Sequence, residues 1–274
     1  MEIDKISSIG RPLDFNYKTN KAIAIITAIT ITIGIVLAIT KQLEIPNVIL
    51  LGLSFGITFF LSWAISREID PDNAISAFIG LIPLFFSLFF WSETNIVILL
   101  WLLISLRIIN RTTGLPARFL DSAMLFAISV LLISFYNSFF GFLTTIVFLL
   151  DTTLIDGQKF QLLFASLSTL SVFIFVIINN QIVDLSNFSM IQSISILTIS
   201  IMFIFIVYFT RDIKSKGDKN HKTLHLSRIK ATQLFALLSV LLVSLTEFGL
   251  TAMIPVWCVL IGVIVQRISS LFKE

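Results

Sequence analysis

The stretch FLDSAMLFAISVLLISFYNSFFGFLTTIVFLL, residues 119–150, decides how often the chain crosses a membrane. It is apolar along its length except for Tyr136-Asn137-Ser138 at its centre. A helix needs about 20 apolar residues to cross the roughly 30 Å hydrocarbon core, so this stretch is long for one upright helix. It fits either one long tilted helix or a hairpin of two short helices, near 119–135 and 138–151.

Composition places the rest of the chain in the same class. Of the 274 residues, 57% are hydrophobic and 13% are charged, and the mean hydropathy is +1.00. Soluble domains carry about 25% charged residues, and disordered chains have low hydrophobicity, so both classes are excluded. The sequence predicts an all-α polytopic integral membrane protein. The other apolar runs lie at 21–40, 46–66, 73–92, 94–109, 159–181, 187–209, 229–246 and 249–267.

Charge distribution separates the two interpretations of 119–150. Cytoplasmic loops carry an excess of Lys and Arg, and this bias sets orientation. With a hairpin, the chain has ten spans, and every basic residue except Lys41 is cytoplasmic, which is 18 of 19. With one helix, the chain has nine spans, and 11 of the 19 basic residues face outward. The bias favours ten spans with both termini inside.

The predicted organisation is one membrane domain over 21–268, with cytoplasmic tails at 1–20 and 269–274 and a flexible basic cytoplasmic loop at 211–228. The membrane is predicted to be an inner or plasma membrane. The net charge of +3 is explained by topology, so no nucleic-acid partner is expected. Membrane lipids are the expected partners, and the sequence leaves the oligomeric state open.

Polar side chains that could do chemistry concentrate in three predicted cytoplasmic loops, at 67–73, 107–121 and 151–159. Closely spaced carboxylates can hold Mg²⁺, and arginine forks match phosphate oxygens. Asp70, Asp72, Asp151 and Asp156 are the predicted ligands of Mg²⁺. Arg67, Arg107, Asn110 and Arg111 are predicted catalytic residues, and Asn73, Arg118, Asp121 and Lys159 are predicted to bind substrate.

Each loop also has a purely structural interpretation. Asp70-Pro71 is typical of a helix start, with Asp at the N-cap and Pro at the first helical position. Arg118 and Asp121 have the spacing of a surface ion pair. Asp156-Gly157 is typical of a turn, with Asp151 at the end of the helix before it. Asp151 is the least explained of these acids, because an acid near a helix C-terminus opposes the helix dipole. Asp151 is therefore a stronger ligand candidate than Asp156.

The placement of these acids resembles that of the UbiA-type intramembrane prenyltransferases. Those enzymes have about nine spans, and acids on cytoplasmic loops 2–3 and 6–7 hold Mg²⁺ for a prenyl pyrophosphate. Asp70 and Asp72 lie on the first of these loops here, and Asp151 and Asp156 lie on the second. The motifs differ, because the family's aspartates are four residues apart. The resemblance implies a transferase with a lipid-linked pyrophosphate substrate.

Three functions therefore remain open. The first is a Mg²⁺-dependent enzyme that acts at the cytoplasmic face on a lipid-linked phosphate or pyrophosphate. The second is a transporter or lipid flippase, with helices broken at Pro83 or Pro255. The third is a structural or assembly subunit of a membrane complex.

Overall fold

The computed structural model describes residues 7–90, 95–179, 185–186 and 188–272. Within these residues the chain is all-α, with ten helices, and the only β-structure is two isolated bridges. The helices are α1 (Lys18–Thr40), α2 (Ile45–Ile69), α3 (Ala74–Phe90), α4 (Ile96–Asn110), α5 (Phe119–Phe135), α6 (Phe139–Thr153), α7 (Gln161–Asn179), α8 (Met190–Phe209), α9 (Leu226–Ser244) and α10 (Gly249–Leu271).

The stretch at 119–150 forms two helices, so the predicted hairpin is confirmed. Helix α5 ends at Phe135, and α6 begins at Phe139. The Asn137 side chain closes the turn, because its Oδ1 accepts the backbone N–H of Phe139 at 3.0 Å. The two helices then pack closely at Gly141, where an added Cβ would lie 2.5 Å from the Ile133 side chain.

Helix lengths fall into two groups. Six of the described helices, α1, α2, α7, α8, α9 and α10, are long and apolar enough to cross a membrane. The other four, α3 to α6, are apolar but have only 15–17 residues. At 1.5 Å per residue these reach about 22–26 Å, slightly less than a typical hydrocarbon core. The helices as a whole support a membrane protein.

The chain forms two compact units. Unit 1 contains the N-terminal residues up to Arg11 and Trp101–Leu250. Its core includes Trp101, which packs edge-on against Phe140 and donates its indole N–H to the Thr144 hydroxyl at 2.9 Å. The predicted polar loops at 107–121 and 151–159 belong to this unit and meet at one end of it, where Arg111 bonds Asp151 and Asp156. We call this the polar end.

Unit 2 contains Pro12–Leu100 and Thr251–Glu274. Helices α3 and α10 approach closely in it, because an added Cβ on Gly262 would lie 2.5 Å from the backbone nitrogen of Gly80. Pro83 and Pro255 lie inside these two helices, and both helices continue through them. The helix breaks expected of a transporter are therefore not present at either proline.

The connection between α2 and α3 differs from the helix start that Asp70-Pro71 suggested. Asp70 ends α2, where its backbone N–H donates to the Ser66 carbonyl at 2.9 Å, and α3 begins only at Ala74. The N-cap interpretation of Asp70 was therefore wrong. Helix α2 continues through Arg67 and Glu68 to Ile69. Pro71 then lies in the turn between α2 and α3.

Candidate functional site

A buried carboxylate shared by two arginines lies at the polar end of unit 1. Asp151 is 0% exposed and sits two residues before the end of α6. Its Oδ1 accepts Nε of Arg111 at 3.0 Å, Nη2 of Arg111 at 2.8 Å and Nη1 of Arg228 at 2.9 Å. These guanidinium groups offset the unfavourable helix dipole at Asp151. We call Arg111, Asp151 and Arg228 the arginine–aspartate cluster.

The second oxygen of Asp151 faces a neutral side chain. Its Oδ2 accepts Nε2 of Gln161, the first residue of α7, at 3.3 Å. The Gln161 Oε1 in turn accepts the hydroxyl of Ser122 on α5 at 2.9 Å. The cluster therefore connects α6 with α7 and, through Gln161, with α5.

The two arginines also bind backbone carbonyl groups. Arg228 donates to the carbonyl of Ile109 at 2.7 Å and to that of Ile155 at 2.6 and 3.0 Å. Arg111 donates to the carbonyl of Asp156 at 2.8 Å. These carbonyls belong to the end of α4 and to the turn after α6, and carbonyl groups at helix ends lack partners within the helix. The arginines thus fix two helix ends as well as the carboxylate.

The cluster carries surplus positive charge. Two guanidinium groups, which stay protonated in proteins, share one carboxylate. The Arg228 side chain is 2% exposed, and that of Arg111 is 9% exposed. Arg111 also has a backbone φ of +55°, which is uncommon for a residue other than glycine and is characteristic of turns and of strained functional sites. The cluster therefore favours an anion near its arginines.

Asp121 anchors the N-terminal segment to unit 1. It is 1% exposed, and its carboxylate accepts the Ser7 hydroxyl at 2.6 Å, the Ser8 backbone N–H at 3.0 Å and the Ser8 hydroxyl at 2.9 Å. It also accepts the backbone N–H of Arg118 at 2.9 Å, at the start of α5. Asp121 therefore does not lie at the surface, as its predicted pairing with Arg118 implied. The acid is buried and caps its own helix.

We expect Ser8→Ala to lower the free energy of unfolding by about 1.5 kcal/mol, the value typical of a hydrogen bond to a charged group. Limited proteolysis should then cut the N-terminal segment faster. Ser166→Ala is the matched control, because the Ser166 hydroxyl is exposed and bonds only within its helix. Equal stability and equal cleavage of the two variants would contradict the proposed anchoring.

Unit 2 holds a separate ion pair at the end of α2. Asp70 is 0% exposed, and its Oδ1 accepts Nη2 of Arg267 at 2.7 Å and Nδ2 of Asn73 at 2.9 Å. Burial raises the pKa of Asp70 above its ordinary value and outweighs the opposing effect of Arg267 and Asn73. The structure thus places Asn73 beside Asp70, whose carboxylate is already paired with Arg267.

The remaining predicted residues are dispersed over the two units. In unit 1, Arg107 donates to the carbonyl of Ile9 at 3.2 Å, Asn110 is buried, and Lys159 is exposed. Asp156 has a carboxylate 76% exposed, 3.9 Å from the His225 imidazole. In unit 2, Arg67 and Asp72 are partly exposed. Among the residues that the structure describes, no group of three or more His, Cys, Asp or Glu side chains forms a metal-binding arrangement.

Sequence reasoning missed the partners of the predicted acids. Arg228 and Arg267 were assigned only to the charge bias of cytoplasmic loops, and Gln161 and Ser8 were not considered. One signal was available for Gln161, because it is a polar residue at the start of an apolar run. Arg228 lies 77 residues from Asp151 along the chain, and no local pattern joins the two.

Comparison with known proteins adds no assignment to these sites. No family model matches the chain, and no significant similarity to a curated protein or a solved structure was found.

Proposed function

We propose that this membrane protein binds the phosphate or pyrophosphate group of a lipid-linked substrate at the polar end of unit 1. The observation that carries the proposal is the arginine–aspartate cluster, in which two buried guanidinium groups share one carboxylate. Arginine forks match phosphate oxygens, and a buried charge interacts more strongly than one in water. The apolar helices would accommodate the lipid tail.

The proposed activity is that of an enzyme which transfers a group at this phosphate. Transfer reactions of phosphates and pyrophosphates require negative charge to be stabilised as it develops, and fixed guanidinium groups supply that stabilisation. Arg111 would approach the anion, and Asp151 and the Asp156 carbonyl would hold its guanidinium in place. Arg107, Asn110, Arg118 and Lys159, on neighbouring segments of unit 1, remain proposed contributors to the site at the predicted cytoplasmic face.

The proposed Mg²⁺ would have to enter with the substrate rather than at Asp151. Oδ1 of Asp151 already accepts three N–H groups of two cations, so a metal ion there would face like charge. Mg²⁺ commonly binds through substrate phosphates with one or two carboxylates and several waters. Among the predicted ligands in unit 1, Asp156 has the exposed carboxylate that such an ion needs.

The test is thermal unfolding of the purified protein with pyrophosphate, with Mg²⁺, and with both. A ligand at one hundred times its Kd stabilises the native state by about 2.7 kcal/mol, which raises the Tm by several degrees. We expect pyrophosphate to stabilise the wild type, and Arg111→Lys to weaken its apparent affinity about tenfold, because the fork is lost. Lys41→Gln, at the end of α1 in unit 2, is the matched control.

Asp151→Asn separates the two modes of binding, with each variant compared with its own ligand-free form. If arginines bind the anion, pyrophosphate without Mg²⁺ still stabilises Asp151→Asn, because both guanidinium groups remain in this variant. If Asp151 holds Mg²⁺, stabilisation needs both ligands and disappears in this variant. Binding without turnover would favour a transporter or flippase. Absence of any stabilisation would contradict the proposal and favour a structural or assembly subunit.

A further inference from the structure

Residues 214–224, within the basic loop that the sequence predicts to be flexible, form a docked hairpin. Lys216 and Thr223 form a β-bridge, the Gly217 N–H donates to the Lys222 carbonyl at 2.8 Å, and the Leu224 N–H donates to the Ser215 carbonyl at 3.0 Å. We call residues 211–224 the basic hairpin. It contains five Lys and Arg residues and two acids, at Arg211, Lys214, Lys216, Lys219, Lys222, Asp212 and Asp218.

The turn that follows α4 holds the tip of the basic hairpin. Backbone N–H groups of Asp218 and Lys219 donate to the carbonyls of Thr112 and Thr113 at 3.2 and 3.0 Å. Nδ2 of Asn220 donates to the Gly114 carbonyl at 2.7 Å. Gly114 has a backbone φ of +80°, which residues other than glycine rarely adopt, and an added Cβ would clash with the Asn220 side chain that docks here.

Docking leaves the positive charge of the basic hairpin exposed. Arg11 neutralises Asp218, with Nε 2.6 Å and Nη2 3.0 Å from its two carboxylate oxygens. The side chains of Arg211, Lys216 and Lys222 are exposed. The hairpin therefore presents a group of cations on a docked backbone, and a backbone that is ordered before binding loses little conformational entropy when it binds.

The hairpin follows directly after a helix that could span a membrane. Helix α8 is long and apolar, with only 17% of its most apolar segment buried. It ends at Tyr208 and Phe209, which are 73% and 61% exposed, and aromatic residues of this kind mark the level of the lipid headgroups. Arg211 follows two residues later, within about 7 Å of chain.

We propose that the basic hairpin binds the headgroups of anionic phospholipids in the adjacent leaflet. Basic residues beside a membrane span attract anionic lipids, and each exposed cation strengthens binding about fivefold. The docking on Gly114 fixes where these cations meet the headgroups. The proposal rests on residues outside the arginine–aspartate cluster and does not depend on the proposed enzymatic function.

The experiment titrates the detergent-purified full chain with short-chain phosphatidylglycerol or phosphatidylcholine and follows the Tm. We expect phosphatidylglycerol to raise the Tm at low salt, and phosphatidylcholine to have much less effect. The combined variant Arg211→Gln, Lys216→Gln and Lys222→Gln should weaken the apparent affinity for phosphatidylglycerol about hundredfold. The matched control, Lys18→Gln, Lys21→Gln and Lys41→Gln, removes the same charge from exposed positions on unit 2 and should keep that affinity within a few fold.

Three further results decide the proposal. Gly114→Ala retains every charge but obstructs docking, so it should weaken the affinity for phosphatidylglycerol severalfold. Soluble glycerol phosphate should not stabilise the protein at the same concentration, and an equal effect would indicate a free phosphate site instead. Full affinity in the hairpin variant, or an equal loss in the control variant, would overturn the proposal.

Discussion

Asp151→Asn is expected to lower the free energy of unfolding by about 3–5 kcal/mol, because it leaves two buried guanidinium groups without their counter-charge. The Arg228 and Arg111 side chains are 2% and 9% exposed, so water cannot replace the lost carboxylate. The amide of Asn retains the shape of the side chain and one oxygen acceptor but not its charge. Thermal and denaturant unfolding of the purified protein measures the loss.

Asp156→Asn is the matched control for this prediction. It makes the same change five residues later, on a carboxylate 76% exposed that lies 3.9 Å from the His225 imidazole. Exposed pairs of this kind contribute between zero and about 1 kcal/mol. If the two variants are destabilised equally, the buried charge at Asp151 does not hold the helix ends together in the way that its contacts indicate.

Gly262→Leu is expected to lower the free energy of unfolding by about 3 kcal/mol, and Gly262→Ala to lower it by roughly half as much. An added Cβ at Gly262 would lie 2.5 Å from the Gly80 nitrogen, 2.6 Å from the Ser76 carbonyl oxygen and 2.7 Å from the Gly80 Cα. These are backbone atoms, so relief requires α3 and α10 to separate within unit 2. Small residues at such crossings let membrane helices pack closely.

Gly10→Leu is the control for Gly262, because nothing lies within 4 Å of a Cβ added at Gly10. We expect its free energy of unfolding to remain within about 0.5 kcal/mol of the wild type. A Gly262→Leu variant with wild-type stability would show that the close approach of α3 and α10 does not exist in the membrane protein.

The helical hairpin at 119–150 could be predicted because two independent signals agreed. The polar residues Tyr136, Asn137 and Ser138 interrupt the apolar run, and only a hairpin places nearly all basic residues on one side. Both signals are local or depend on counting charges, so they do not require knowledge of the fold. The structure confirms the two helices. The orientation of the chain in the membrane stays a prediction.

The candidate site was predictable only in part. Asp151 could be singled out because its place near a helix C-terminus opposed the dipole, which indicates a need for a cation. Its cation partners, Arg111 and Arg228, lie 40 and 77 residues away in sequence, and the charge bias of cytoplasmic loops already explained both. Charge bias sets topology but does not reveal which arginine turns inward to bind a carboxylate.

The Asp70 helix cap shows the opposite error, in which a local rule was applied where the fold had another solution. Asp-Pro favours a helix start, yet α2 extends to Ile69, and Asp70 binds Arg267 instead. Arg267 lies 197 residues away along the chain. An ion pair across this separation depends on packing within unit 2, which no pattern around Asp70 encodes.

The most direct measurement compares two ligands that share a lipid tail, a prenyl diphosphate and the corresponding prenyl alcohol, by their effect on the Tm of the wild type and of Arg111→Lys. The account predicts that the diphosphate raises the Tm by several degrees more than the alcohol does, and that Arg111→Lys loses most of this difference. Equal shifts for the two ligands, or an unchanged difference in Arg111→Lys, would contradict binding of a lipid-linked phosphate at the arginine–aspartate cluster.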